Sequence, residues 1–316
     1  MMEYQSSKVS PGAALAILLG LFVAGLFIGS LAGFAVWFAM THKGIFTLEK
    51  DMLNPLYTNA ARAMQIVSVF ITFFVPSVAV ARIMSRSPFQ WLGYKEGFNS
   101  KQFILVIVIM AACMPLVGAL GELNQLIPLS RGLEAAVKKM EDNYNSEAQA
   151  LAVMHSFGEF IFSLFVMALL PAVFEETFFR GGLQQILIAW FKKPMLAIVV
   201  TSIIFSAVHV SWYGFLPRLA LGFVLGLFFY YSRSLWLNMA AHFLNNALAV
   251  GYMYYLSVHN KPVKDAIDDS SYPLWVGIPA IIAVVLLFRF FQKISFKRSI
   301  SKIPPMDGPS FESTLV

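Results

Sequence analysis

Two adjacent glutamates and an arginine, Glu175, Glu176 and Arg180, lie within an otherwise apolar stretch of the chain. Ionised side chains in a hydrocarbon environment are costly unless they pair, face a cavity or take part in chemistry. On a helix, Glu176 and Arg180 are four residues apart and share a face, which predicts an ion pair. Glu175 points about 100° away from Glu176 and is less compensated. The spacing indicates Glu175 as a general base, although a purely structural role in helix packing stays open at this point.

Two later apolar stretches also carry polar side chains. Phe205 and His209 are four residues apart in the first, and His242 and Asn246 are four residues apart in the second. Taken alone, such residues could simply form hydrogen bonds between helices. Together with Glu175 they make a hydrolytic set. A carboxylate and an imidazole can deprotonate a water molecule, while a second imidazole and an amide can donate hydrogen bonds to an oxyanion.

One carboxylate and two imidazoles are also a ligand set for a catalytic zinc ion with an open position. The ligands would then be Glu175, His209 and His242. The motif His-Glu-x-x-His is absent, which excludes the common metalloprotease helix. Residue types alone leave the metal-bound and metal-free mechanisms open.

The composition is that of a polytopic membrane protein. The 316 residues are 58% hydrophobic and 13% charged, whereas a soluble domain carries about 45–50% apolar and about 25% charged residues. The net charge of +6 does not indicate nucleic-acid binding, because the basic residues fall mostly in short loops beside apolar segments. We therefore predict an all-α membrane bundle and no nucleic-acid partner.

The apolar residues fall into eight segments, most of them long enough to cross about 30 Å of hydrocarbon. We divide the chain into N-terminal transmembrane helices with an amphipathic loop (1–154), a catalytic transmembrane core (155–292) and a basic juxtamembrane segment with a disordered tail (293–316). The predicted crossings are 12–40, 61–83, 102–120, 155–191, 195–211, 214–232, 235–257 and 273–292.

The fourth segment is longer than one crossing needs, and Pro171 within it predicts a kink or a break. We count it as one crossing because two crossings would place the basic loop 86–101 outside, against the positive-inside rule. With one crossing, most basic loops lie inside and both termini are cytoplasmic. The sequence also predicts a short surface helix at 133–140. Short loops and the lack of an organelle signal suggest a bacterial cytoplasmic membrane.

Three motifs occur in order: Glu-Glu-x-x-x-Arg at 175–180, Phe-x-x-x-His at 205–209 and His-x-x-x-Asn at 242–246. They resemble the CPBP family, which comprises type II CAAX prenyl endopeptidases and lysostaphin-resistance-like proteins, also called Abi proteins. The resemblance covers about residues 155–257. It implies an intramembrane endopeptidase that cleaves a membrane-associated substrate, such as a CAAX-type protein or a leader peptide.

The resemblance also implies a role for each motif residue. Glu175 and His209 would activate water, and His242 and Asn246 would stabilise the oxyanion. Members of the family have been described both as metalloproteases and as metal-independent glutamate proteases, and we expect the metal-independent mechanism with no required cofactor. The supporting residues would be Glu176, Arg180 and Phe205, with Phe205 packed beside His209.

Two other classes of function compete with the protease. One is a non-catalytic membrane binding protein, such as a bacteriocin-immunity factor of the same fold. The other is a secondary transporter that uses these groups as a proton relay. Transporters usually show repeated halves with paired broken helices, and this sequence has no visible repeat. We rank the transporter last.

Overall fold

The computed structural model describes residues 9–152, 154–261 and 272–301. The described chain is 85% helical and contains no strand, so the predicted all-α membrane bundle is confirmed. The helices are α1 (Pro11–Thr41), α2 (Leu48–Met52), α3 (Pro55–Met84), α4 (Pro88–Leu92), α5 (Ser100–Gln125), α6 (Arg131–Leu151), α7 (Phe157–Phe191), α8 (Pro194–Ala207), α9 (Phe215–Ser232), α10 (Leu235–Val258) and α11 (Leu274–Ser301).

A helix lies at each of the eight predicted crossings. In the described chain six helices are long and apolar enough to cross a membrane: α1, α3, α5, α7, α9 and the part of α11 up to Phe296. Helix α10 has 24 residues, but polar side chains such as Asn238 and His242 lower its hydropathy. Helix α8 has only 14 residues. The predicted crossing at 195–211 has approximate limits, and the helix itself ends at Ala207.

Helix α7 is continuous from Phe157 to Phe191, so of the kink or break predicted at Pro171 the break does not occur. A wide π-helical turn, Leu164–Leu169, directly precedes the proline, and Leu170 N–H donates to the carbonyl five residues back, at Phe165. Such a turn relieves the clash between the proline ring and the preceding backbone that an α-helix would suffer. A second π-helical stretch, Thr177–Gln184, contains Arg180. The element is thus one crossing, as the loop charges indicated.

Helix α7 lies at the centre of the bundle. It contacts α3, α8 and α10, while α1 packs on α3, α5 packs on α11 and α8 packs on α9. The predicted surface helix at 133–140 is the first half of α6, which continues to Leu151 and packs against α3. The predicted disordered tail beyond residue 301 lies outside the described residues, and the three-part division of the chain stays a prediction.

Candidate active site

The two charges predicted to pair on α7 do so in the structure. Nη1 of Arg180 lies 2.7 Å from Oε1 of Glu176, and both side chains are 0% exposed. Nη2 of Arg180 also donates to the carbonyl of Gly222 on α9, at 3.1 Å. The guanidinium carbon lies 4.6 Å from the centroid of the Phe205 ring, within range of a cation–π interaction. A buried pair with this many partners stabilises both of its charges.

Small residues on α9 allow the arginine to reach that carbonyl. A side chain at Gly222 would place its Cβ 3.2 Å from both Phe205 Cδ1 and Ser202 Cβ, which is tighter than an ordinary packing contact. One turn further along, Gln184 Nε2 donates to the carbonyl of Gly226 at 3.0 Å. Two polar side chains of α7 are therefore tied to backbone carbonyls of α9, which fixes the rotation of α7.

Glu176 also holds one of the two histidines. Its Oε1 lies 2.8 Å from Nδ1 of His242 on α10, and since a carboxylate accepts, the ring nitrogen donates. Asn238 Nδ2 donates to the other oxygen of Glu176 at 3.3 Å and to the carbonyl of Leu225 at 2.6 Å. The sequence analysis did not single out Asn238, although a polar residue one turn before His242 was a usable signal. Because Nδ1 of His242 is the nitrogen that bonds Glu176, Nε2 of the same ring points away from Glu176.

His209 is oriented in the same way from its own helix end. Its Nδ1 lies 2.7 Å from the carbonyl oxygen of Phe205, so this nitrogen donates and Nε2 carries the lone pair of a neutral ring. The Phe205 ring packs edge-on against His209, with centroids 5.0 Å apart, and lies 5.9 Å from the ring of His242. Phe205 therefore separates and supports both imidazoles.

Glu175 faces both histidines without a direct hydrogen bond to either. Its Oε2 lies 3.9 Å from Nε2 of His209 and 3.9 Å from Nε2 of His242. This oxygen is buried and has no hydrogen-bond partner within the described residues. A separation of 3.9 Å is too long for a hydrogen bond, but one water molecule fits between the atoms at about 2.8 Å from each. When both imidazole rings are neutral, Glu175 Oε2 and the two Nε2 atoms are all hydrogen-bond acceptors. A donor such as water is then needed to join them.

Asn246 lies one helical turn beyond His242 on α10. Within the described chain its side-chain hydrogen bond comes from Asn245 Nδ2, at 3.3 Å. The structure therefore brings Glu175, His209 and His242 together, while within the described residues no hydrogen bond joins the Asn246 side chain to them.

Glu175, His209 and His242 are also the residues that would bind a metal ion in the alternative mechanism. No group of three His, Cys, Asp or Glu side chains in the described chain is arranged to hold a metal ion. The Nε2 atoms of His209 and His242 both face Glu175 Oε2, but the geometry does not select a metal over a water molecule.

Comparison with known proteins relates the candidate site to a protease family. Residues 157–248 match the family model for the Rce1-like type II CAAX prenyl endopeptidases, and no curated protein and no solved structure matches the chain. The matched segment runs from the start of α7 into α10 and includes every residue of the candidate site. The family resemblance seen in the three motifs is confirmed over this segment.

Proposed function

Because residues 157–248 match the family model for the Rce1-like type II CAAX prenyl endopeptidases, we propose that this multi-pass membrane protein is an intramembrane endopeptidase. One observation carries the proposal: the buried, unpartnered Oε2 of Glu175 faces Nε2 of His209 and Nε2 of His242, each at 3.9 Å. A carboxylate in this setting binds water and removes its proton.

The reaction begins with a water molecule between Glu175 and His209. His209 accepts one hydrogen bond from the water through Nε2 and orients it, because its Nδ1 is already engaged with Phe205. Glu175 takes a proton as the water oxygen attacks the peptide carbonyl. When the tetrahedral intermediate collapses, Glu175 returns this proton to the leaving amine, and the products are a carboxylic acid and a free amine.

The developing oxyanion needs hydrogen-bond donors. In this proposal His242 is already an imidazolium when the substrate binds, so that Nδ1 donates to Glu176 and Nε2 donates to the oxyanion. The carboxylate of Glu176 stabilises that positive charge. In this proposal Asn246 is the second donor, as the family resemblance implies, and reaches the oxyanion from one turn away.

The substrate in this proposal is a peptide or protein that lies at the lipid bilayer. A CAAX-type substrate follows from the name of the matched family, and a leader peptide is the other type that the motifs imply. From the loop charges we infer that both termini are cytoplasmic, and from the short loops and the lack of an organelle signal that the membrane is bacterial; both stay predictions.

The test compares cleavage of a library of membrane-associated peptides by purified parent, Glu175→Gln and His209→Ala. We expect losses of at least about 100-fold in kcat, the usual effect of removing a general base. Glu159→Gln is the matched control, since it makes the same change at an exposed position of α7.

Two results would count against the proposal. Equal cleavage by the parent and both site variants would end it. Full function of Glu175→Gln in cells would instead identify a non-catalytic binding or immunity protein of the same fold, because the amide preserves the shape of the site and removes only the base.

A further inference from the structure

The loop between α8 and α9, residues 208–214, carries His209 in an unusual position. Helix α8 has 14 residues and rises about 21 Å, which is less than the hydrocarbon thickness of about 30 Å. A helix of this length that starts at the membrane surface ends within the membrane. Irregular backbone at such a depth must have its polar groups satisfied by protein or by enclosed water.

The backbone next to His209 is also strained. Val210 has a φ of 51°, a left-handed conformation that a β-branched residue rarely adopts. Strained residues of this kind persist only where the surroundings hold them. The contacts that hold this loop therefore bear directly on where His209 points.

Glu141, on helix α6, makes those contacts from outside the three motifs at 175–180, 205–209 and 242–246. Its Oε1 accepts from Ser211 Oγ at 2.9 Å, and its Oε2 accepts from Tyr213 N–H at 3.4 Å. Ser211 Oγ in turn accepts from Gly214 N–H at 3.2 Å. Glu141 is only 8% exposed, and both of these described contacts are to the loop.

Helix α6 is itself anchored at its C-terminal end. Buried Arg62 of α3 donates to the carbonyl of Leu151 from Nε at 3.1 Å and from Nη2 at 2.6 Å. Thr58 Oγ1 donates to the carbonyl of Ala150 at 3.3 Å. The helix is thus tied to α3 at Leu151 and to the His209 loop at Glu141, ten residues earlier.

A second side chain supports the loop from α5. Asn124 Nδ2 donates to the carbonyl of Trp212 at 2.8 Å, and its Oδ1 accepts from Leu216 N–H at 3.0 Å. Asn124 thus holds Trp212 in the middle of the loop and Leu216 at the start of α9. Glu141 holds Ser211 and Tyr213 on either side of Trp212, and its contact with Ser211 is the one nearer to His209.

We propose that Glu141 is a positioning residue, which keeps Nε2 of His209 directed at Glu175 by clamping the loop 208–214. The effect on catalysis rests on the proposed endopeptidase function, whereas the clamp itself does not. Removing the carboxylate frees Ser211 and Tyr213, and the strained backbone at Val210 relaxes. Since His209 orients the water rather than binding the substrate, kcat falls and KM stays.

The test uses the full-length protein and three variants: Glu141→Ala, Glu141→Gln and Ser211→Ala. Glu134→Gln is the matched control, because Glu134 is exposed on the same helix, two turns earlier. Amide hydrogen exchange is measured over 208–214, and kcat and KM are measured on a peptide that the parent cleaves. Ser211→Ala removes one hydrogen bond from the loop side and decides the question if Glu141→Ala does not fold.

We expect exchange in 208–214 to rise about tenfold or more in Glu141→Ala and to rise less in Ser211→Ala. The expected loss in kcat is about 10–100-fold, since a displacement of about 1 Å can cost that much. Glu141→Gln keeps one acceptor oxygen and recovers part of the loss, while Glu134→Gln matches the parent.

Several outcomes would overturn the clamp. The first is that amide exchange in the loop is unchanged in both Glu141→Ala and Ser211→Ala. The second is that exchange rises throughout the bundle and not specifically in the loop. The third is that Glu134→Gln loses as much kcat as the Glu141 variants. If the parent cleaves no peptide, the endopeptidase proposal fails, but hydrogen exchange still decides whether Glu141 holds the loop.

Discussion

Replacing Arg180 by methionine tests whether the ion pair on α7 is the support of the site. The guanidinium now donates to Glu176 and to the carbonyl of Gly222. Methionine fills a similar volume without charge or donors. The substitution therefore leaves the carboxylate of Glu176 buried without a positive partner, and it opens no large cavity.

The expected magnitude follows from the burial of both groups. Glu176 and Arg180 are each 0% exposed, and removing one partner of such a pair costs about 3–5 kcal/mol. Glu176 keeps hydrogen bonds from His242 Nδ1 and Asn238 Nδ2, and these reduce the loss of stability. We therefore expect the free energy of unfolding to fall by about 3 kcal/mol, at the lower end of that range.

The assay is equilibrium unfolding of the purified protein in detergent, followed by circular dichroism. Arg180→Met, Glu176→Gln and the double variant form a cycle, in which the double variant should lose at least about 1.5 kcal/mol less than the sum of the two single losses. The matched control is Arg289→Met, since Arg289 is an exposed arginine of the membrane helix α11. We expect this control to change stability by less than about 0.5 kcal/mol.

Two results would refute the reasoning. If Arg180→Met lowers the free energy of unfolding by less than about 1 kcal/mol, the buried pair contributes no more to stability than an exposed salt bridge does. Losses that add in the double variant would show that the two charges do not depend on each other. Either result would also remove the support that Glu176 gives to His242 in the proposed mechanism.

Two further predictions concern the metal and the packing around Phe205. Peptide cleavage should survive dialysis against a strong chelator, because water held by Glu175 and His209 suffices; loss of activity that zinc restores would instead identify the histidines as metal ligands. Gly222→Ala should lower the free energy of unfolding by about 1–3 kcal/mol, since the added Cβ would lie 3.2 Å from Phe205. Gly44→Ala is its control, with no atom within 4 Å of the added Cβ, and equal stability of the two variants would contradict the close approach of α9.

The sequence was most informative where one helix contains the whole relationship. The spacing of Glu176 and Arg180 predicts their contact, since residues four apart on a helix are neighbours whatever surrounds it. Apolar blocks likewise predicted a helix at each crossing. A kink or a break was predicted at Pro171, and the helix does not break there, because the wide turn at Leu164–Leu169 accommodates the proline in a way that proline alone does not determine.

Contacts between helices were decided only by the tertiary structure. The sequence contained His242 and Glu176, but their hydrogen bond depends on how α10 is rotated against α7, and no periodicity within either helix specifies that rotation. The contact of Glu141 with Ser211 joins residues 70 positions apart through the packing of α6 over a loop. By itself the sequence determined which residue types could do the chemistry; the packing of helices decided that Glu175 faces two imidazoles, because only packing sets distances between separate elements.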